Sequence, residues 1–411
     1  MKRSLFSCLA LLLVLSLLLC ACGKNNTVNN TTSNNSTSSD TEAGADDTTV
    51  VATVNGTDIY YSEFVEQMAT VEGMYGSLSD TLSGDEIKQK LNEQAKSVLE
   101  NLIAQVILEQ KAAEYGLTLT EEQEAAVAGA WEDVKARFTR TVQANYPTFT
   151  GEDLEAMVIM SLEQSGFKED VVLESARASA LISNLREHMN AEVSPATSAE
   201  IQALYDALLS EQKTEFENNP SAFEAAMLGS EVVVYIPADY RVIHEWEFRY
   251  DDENISLLKQ MKEIDTEGST AYEDVLSAEQ GLLQQKVSAV RTRLSSGAAF
   301  DEVYAELNGG ATPKANYISG ATTRFSEEYT GAAMSIDTIG GVADTEVPLD
   351  FGCYLLCWAD TLSEGTVDIS EVSDALSAQI LREKQNENWK TAQAQWRAEA
   401  EITIDEALIA Y

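Results

Sequence analysis

Two histidines, His188 and His244, and five cysteines are all the imidazole and thiol groups in 411 residues. Histidine-built metal sites and His-based catalytic triads therefore have almost nothing to draw on. His188 closes an amphipathic helical stretch before Met189-Asn190 and reads as a partner for the helix dipole at its C-terminal end. His244 falls on the apolar face of a strand, where a satisfied structural histidine and a working one both fit. Of the cysteines, Cys8, Cys20 and Cys22 belong to the N-terminal segment, leaving Cys353 and Cys357 in the body. In a strand these two stand about 13 Å apart at roughly 3.3 Å per residue. That is beyond disulfide reach, so they read as buried thiols acting as small hydrophobes. Paired acids such as Glu121-Glu122 and Asp251-Asp252 read as solvated faces in so acidic a chain. Gly340-Gly341 reads as a turn, and no Gly-Lys phosphate motif opens a helix in the body.

The charge balance narrows the partners. With 27 Lys and Arg against 68 Asp and Glu, the formal charge is −41, which repels nucleic acid and argues against any reader of a phosphate backbone. The chain is 44% hydrophobic and 23% charged, an ordinary globular mixture, and its length suits two or three domains at roughly 100–200 residues each.

Met1-Lys2-Arg3 is a short basic region, and the apolar run from Leu5 to Leu19 is short for a membrane span. It reads as an export signal. The run ends Leu19-Cys20-Ala21-Cys22-Gly23, which resembles a bacterial lipobox with Leu at −3 and a small residue before the lipidated Cys22. A stretch rich in Asn, Thr, Ser and Asp follows, with almost nothing to bury, the composition of a solvated linker. The expected order is a lipoprotein signal peptide at 1–21, a flexible linker at 22–49 and a folded body from residue 50. The body is then held at the extracytoplasmic face of the cell membrane by lipid at Cys22.

Within the body, Val50–Val54 and Thr57–Tyr60 flank Asn55-Gly56 and predict a hairpin. Ser62 is placed to cap a helix from Glu63. Asp85 is placed to cap another carrying Leu91, Val98, Leu99, Leu102, Ile103, Val106 and Leu108, mostly at helical spacing. Thr120 with Gln123 forms a capping-box signature before Val127, Trp131, Val134 and Phe138. Further helices are predicted at 151–165, 169–190 and 197–217. From 240 to 248 the pattern alternates, with Tyr, Val, His, Trp and Phe at even positions, which predicts a strand with one buried face. A polar acidic segment at 250–275, helices at 277–296 and 300–307, a Gly-containing loop at 309–322, a strand at 351–358 and a helix at about 370–400 complete the body.

Three segments together carry a family resemblance. Val51–Ile59 followed by Ser62-Glu63-Phe64 resembles the opening of the chaperone module in the SurA and PrsA families of exported foldases. Tyr240–His244, then Gly297–Phe300 leading a helix, then Phe351–Leu356 resemble the first strand, first helix and last strand of a parvulin-type peptidyl-prolyl isomerase domain. The resemblance implies an α+β fold. It divides the body into a helical SurA-like module at 50–230, a parvulin-like four-stranded antiparallel sheet with flanking helices at 231–364, and a closing helix at 365–411.

The chemistry so implied is non-covalent. Rotation about an X–Pro bond faces a barrier of about 18–20 kcal/mol, and an enzyme need only bind the twisted amide better than either planar form. No metal or cofactor is implied. Carried over by position, His244 stands where parvulins have the histidine of the first strand. Tyr354 replaces the second histidine, and Phe325, Tyr329 and Met334 fall where apolar residues line the proline pocket. Asn308-Gly309-Gly310 occupies the place of the family's Cys or Asp. The resemblance implies a lipid-anchored foldase that binds unfolded exported polypeptides, with isomerase activity. Two alternatives stand beside it: a holdase whose parvulin domain is degenerate, and a lipid-anchored binding protein for a solute or wall component.

Overall fold

The computed structural model describes residues 48–76, 82–165, 167–263 and 269–411. Cys22, the 1–21 segment and nearly all of the 22–49 linker lie outside the described residues. The described chain opens with β1 (Val50–Val54) and β2 (Thr57–Tyr60). Five helices follow: α1 (Tyr61–Gly76), α2 (Gly84–Glu114), α3 (Glu121–Asn145), α4 (Gly151–Gln164) and α5 (Glu169–Ala191). Next come α6 (Ser198–Asn218), α7 (Pro220–Leu228), β3 (Tyr235–Ile236), β4 (Arg241–Arg249), α8 (Asp252–Glu263), α9 (Thr270–Ser295) and α10 (Phe300–Leu307). The chain continues with β5 (Lys314–Ile318), α11 (Glu327–Met334), β6 (Val347–Leu349), β7 (Gly352–Thr361), β8 (Gly365–Thr366), α12 (Ile369–Glu399) and β9 (Ile402–Ile404). The class is α+β and mostly helical.

Two compact units divide the chain, one of Met1–Ser194 with Arg382–Tyr411 and one of Pro195–Leu381. In the first, Asn55 and Gly56 take positive φ values of 50° and 85°, the turn that a two-residue hairpin needs. The hairpin gains a third strand from the far end of the chain, β9, in the order β2-β1-β9. Val51, Val54, Phe64, Met68, Leu99, Ile103, Leu185 and Trp396 form its core. The predicted Thr120 capping box is present, with Gln123 reaching back to the Thr120 N–H. Two expected caps are corrected. The second helix is capped by Ser83 with Glu86, one turn's start ahead of Asp85. The first helix begins at Tyr61, with Glu63 accepting from the Tyr60 N–H at 2.7 Å, so Ser62 lies inside it.

The second unit is built on a four-stranded antiparallel sheet in the order β5-β4-β7-β6. On one face Trp246 and Phe248 of β4, Tyr250 just after it, and Cys353, Leu355 and Cys357 of β7 pack under α8, α9 and α10. On the other, Ile243, Ile318 and Leu356 pack under α11. The middle of β4 is therefore buried on both sides, where alternation had predicted one buried face. The 250–275 segment holds α8, and the 309–322 loop holds β5. At Gly352 there is no room for a side chain, since an added Cβ would collide with the Phe248 carbonyl oxygen of β4. Among the described residues no helix is long and apolar enough to cross a membrane, and no cluster of His, Cys, Asp and Glu could hold a metal ion.

Candidate functional site

Strand register decides which of the predicted site residues meet. Across β4 and β7, His244 stands opposite Cys357, and Glu247 opposite Tyr354. Directly opposed residues share a face and neighbours along a strand alternate, so His244 and Tyr354 project from opposite faces of the sheet. His244 lies on the side of α10, where its Nδ1 is 2.7 Å from Asp301 Oδ1. The structure does not bring His244 and Tyr354 together as a catalytic pair.

Tyr354 instead joins the apolar residues. Phe325 stacks on Tyr329 with ring centroids 4.4 Å apart and planes at 13°, and Tyr329 meets the Tyr354 ring edge-on at 5.8 Å. Met334 packs in the same cluster. Tyr329 is 3% exposed, whereas Phe325, Met334 and Tyr354 are half-buried, so the cluster presents an aromatic surface above a closed floor. Ser326 caps α11 by accepting from the Tyr329 N–H, which fixes the helix that carries these side chains.

Beneath the aromatic surface lies a polar network that the sequence reading missed. Glu245, 7% exposed, accepts at Oε2 from the Tyr329 hydroxyl and from Asn316 Nδ2, each at 2.7 Å. At Oε1 it accepts from Lys314 Nζ, also at 2.7 Å. Asn316 Nδ2 also donates to the Tyr329 oxygen at 2.9 Å. Burial, and then the Glu245 carboxylate beside it, push the Tyr329 hydroxyl far above the usual phenol range. Burial likewise raises Tyr354. The sequence signal for this face was Ile243, an apolar residue among the polar odd positions of β4, which marks a second covered side.

Arg241 closes the edge of the cluster. Its guanidinium lies 3.7 Å from the Trp358 ring centroid and donates to the carbonyls of Ala333, Met334 and Ile336 at the end of α11. These carbonyls would otherwise be left without helical partners. On the opposite face, burial pushes the Cys353 thiol up to about 11 and that of Cys357 up to about 12, so neither is a nucleophile near neutrality. The second histidine, His188, packs its ring on Tyr115 at 4.8 Å.

The first unit carries a separate surface. A groove of about 1110 Å³ runs between α3 and α4, with Trp131, Leu154, Val158, Leu162 and Phe167 in its lining. Ile159, also in the lining, is 47% exposed, and Met160 beside it 42%. Apolar side chains left this open are what a binding surface for extended apolar chain offers.

The described residues form a mostly helical α+β protein with one four-stranded antiparallel sheet. Residues 5–145 match the family model of the SurA-like N-terminal domain, about a third of the chain. The chain therefore carries a SurA-like N-terminal domain, as the residues from Val51 to Phe64 had indicated. No curated protein matches it. Among solved structures, a SurA-like chaperone of Campylobacter jejuni is similar at 10% identity, over 87% of this chain and 98% of that one, with a TM-score of 0.30. The foldase PrsA of Streptococcus pneumoniae is similar at 15% identity, over 80% and 93%, with a TM-score of 0.27. PrsA of Bacillus subtilis is similar at 14% identity, over 88% and 97%, with a TM-score of 0.27.

Proposed function

We propose that this protein is a membrane-anchored extracytoplasmic chaperone that binds unfolded exported polypeptides and holds them from aggregation. The SurA-like N-terminal domain at 5–145 is the observation that carries the reading. The open groove between α3 and α4 supports it, because its apolar lining, set among charged side chains such as Glu132, Lys135, Arg140 and Glu155, offers area to an extended chain. The lipobox-like Leu19–Gly23 supports anchoring through lipid at Cys22. The body divides functionally into a chaperone module at 50–230, a parvulin-like domain at 231–364 and a closing segment at 365–411.

The separation of His244 from Tyr354 favours a holdase over a prolyl isomerase that uses this pair. In that reading Phe325, Tyr329, Met334 and Tyr354 form a binding surface for apolar or prolyl side chains, and the chemistry of a twisted amide is not assisted from His244. Light scattering of a non-native client with the full chain tests the proposal. Wild type should suppress aggregation, and Ile159→Asp with Met160→Asp, both at exposed positions, should weaken suppression. A solute-binding protein would leave scattering unchanged. In a protease-coupled prolyl assay, acceleration that disappears in His244→Ala would overturn the holdase reading.

A further inference from the structure

The second unit buries a carboxyl group that the proposed function does not use. Glu224 on α7 is 1% exposed. Its Oε1 accepts from the Thr322 hydroxyl at 2.6 Å and from the Tyr240 hydroxyl at 3.3 Å, while Oε2 has no partner. The packing around it is aromatic and aliphatic: Phe216 of α6, Phe223 and Ala226 of α7, Tyr240 ahead of β4, and Tyr317 of β5.

Few charged or titratable groups face it. Tyr240 is a neutral donor, its hydroxyl pushed up to about 12 by burial. Tyr235 is turned to Glu217, its hydroxyl 2.8 Å from that carboxylate. Arg324, on the loop after β5, acts on Glu224 only from beyond ion-pair distance and lies over the Phe325 ring at 5.4 Å. An ionised carboxylate here would have two hydroxyl donors on one oxygen, none on the other and no paired cation. That is the arrangement in which a buried acid keeps its proton. Burial accordingly raises the Glu224 pKa above the usual carboxylate range.

The position of the group gives this a consequence. Thr322 and Arg324 flank the turn that leads into Phe325, and Ser221 of α7 meets Thr323 of the same loop at 3.4 Å. We propose that Glu224 is a proton-operated latch that, as the neutral acid, holds the 319–324 loop and Phe325 against α7, and that on ionisation, for which the buried Oε2 has no donor in the closed state, releases the loop. The latch stands whether or not the aromatic surface binds polypeptide.

The sign follows from linkage. The closed state binds the proton more tightly than the open one, so closure is complete below the ordinary carboxyl range and is lost as pH rises toward the raised pKa. One proton released on opening makes the opening constant rise about tenfold per pH unit across that window. Backbone hydrogen exchange of residues 319–325 in the full chain, corrected for intrinsic rates, reads this directly. Wild type should lose protection about tenfold per pH unit, and Glu224→Gln should show a flat profile. Thr322→Val should lower protection at every pH. Parallel profiles for wild type and Glu224→Gln would overturn the latch. Should the Gln variant not fold, side-chain NMR titration of Glu224 in wild type decides, since a pKa at or below the ordinary range also overturns it.

Discussion

The buried network under the aromatic surface makes a sharp stability prediction at Tyr329. Tyr329→Phe removes one hydroxyl and leaves the ring, so the stack on Phe325 and the edge contact to Tyr354 persist. The lost oxygen donates to Glu245 Oε2 at 2.7 Å and accepts from Asn316 at 2.9 Å. Asn316 keeps its bond to Glu245, and Lys314 still reaches Oε1, so the carboxylate retains two of its three donors. The loss is one hydrogen bond to a charged, buried acceptor, about 1.5–3 kcal/mol, together with the neutral bond from Asn316. The Lys314 side chain is 61% exposed, so its contribution is screened and does not rescue the loss. Urea unfolding followed by hydrogen exchange of the β4 and β5 amides measures the effect in the unit concerned. A double-mutant cycle with Glu245→Gln should give a coupling of about 1–2 kcal/mol. A Tyr329→Phe loss below about 0.5 kcal/mol would refute the view that this network holds α11 on the sheet.

Gly352→Ala should destabilise the second unit by roughly 3 kcal/mol or more, because the new Cβ meets the backbone of β4 rather than a movable side chain. Thermal unfolding checks it. Ser83→Ala should cost about 1 kcal/mol through loss of the α2 cap, read from the unfolding of the first unit. Cys353 and Cys357 should react with a thiol reagent at pH 8 roughly a hundredfold or more slower than an exposed cysteine until the sheet unfolds, since burial raises both thiols. His244→Ala should cost only about 0.5–1 kcal/mol, because Asp301 is well exposed, and should leave client binding unchanged.

What was legible in the sequence was local. The Asn55-Gly56 turn, the Thr120 capping box and the Phe300–Leu307 helix each depend on residues within one turn of one another, and each is found where its pattern places it. The strand at β9 was not legible. It is three residues long, and its partner β1 lies some 350 positions away, so nothing nearby in sequence marks it. The Asp85 cap failed because Ser83 and Asp85 are both good caps, and only the reciprocal bond from Glu86 selects between them. His244 was placed on the right strand and on an apolar face, but which face α11 covers is a tertiary fact. Period-two reasoning assigns Glu245 to solvent, and only the return of Tyr329, 84 positions later, covers it.

That covering also bears on what the sheet can do. A group that works as an acid or base needs a free lone pair or proton within reach of its substrate. Glu245 has three of its four acceptor sites taken, one oxygen accepting from Lys314 and the other from Tyr329 and Asn316. Tyr329 gives its only proton to Glu245 and is itself 3% exposed. The side-chain protons of Tyr329 and the Asn316 amide are thus directed into the floor, and what faces outward at Phe325, Met334 and Tyr354 is carbon and one phenol. Such a surface can select side chains by shape and burial, at about 25 cal/mol per Å² of apolar area covered. The same network that makes Glu245 tolerable inside the sheet also holds Tyr329 of α11 on it.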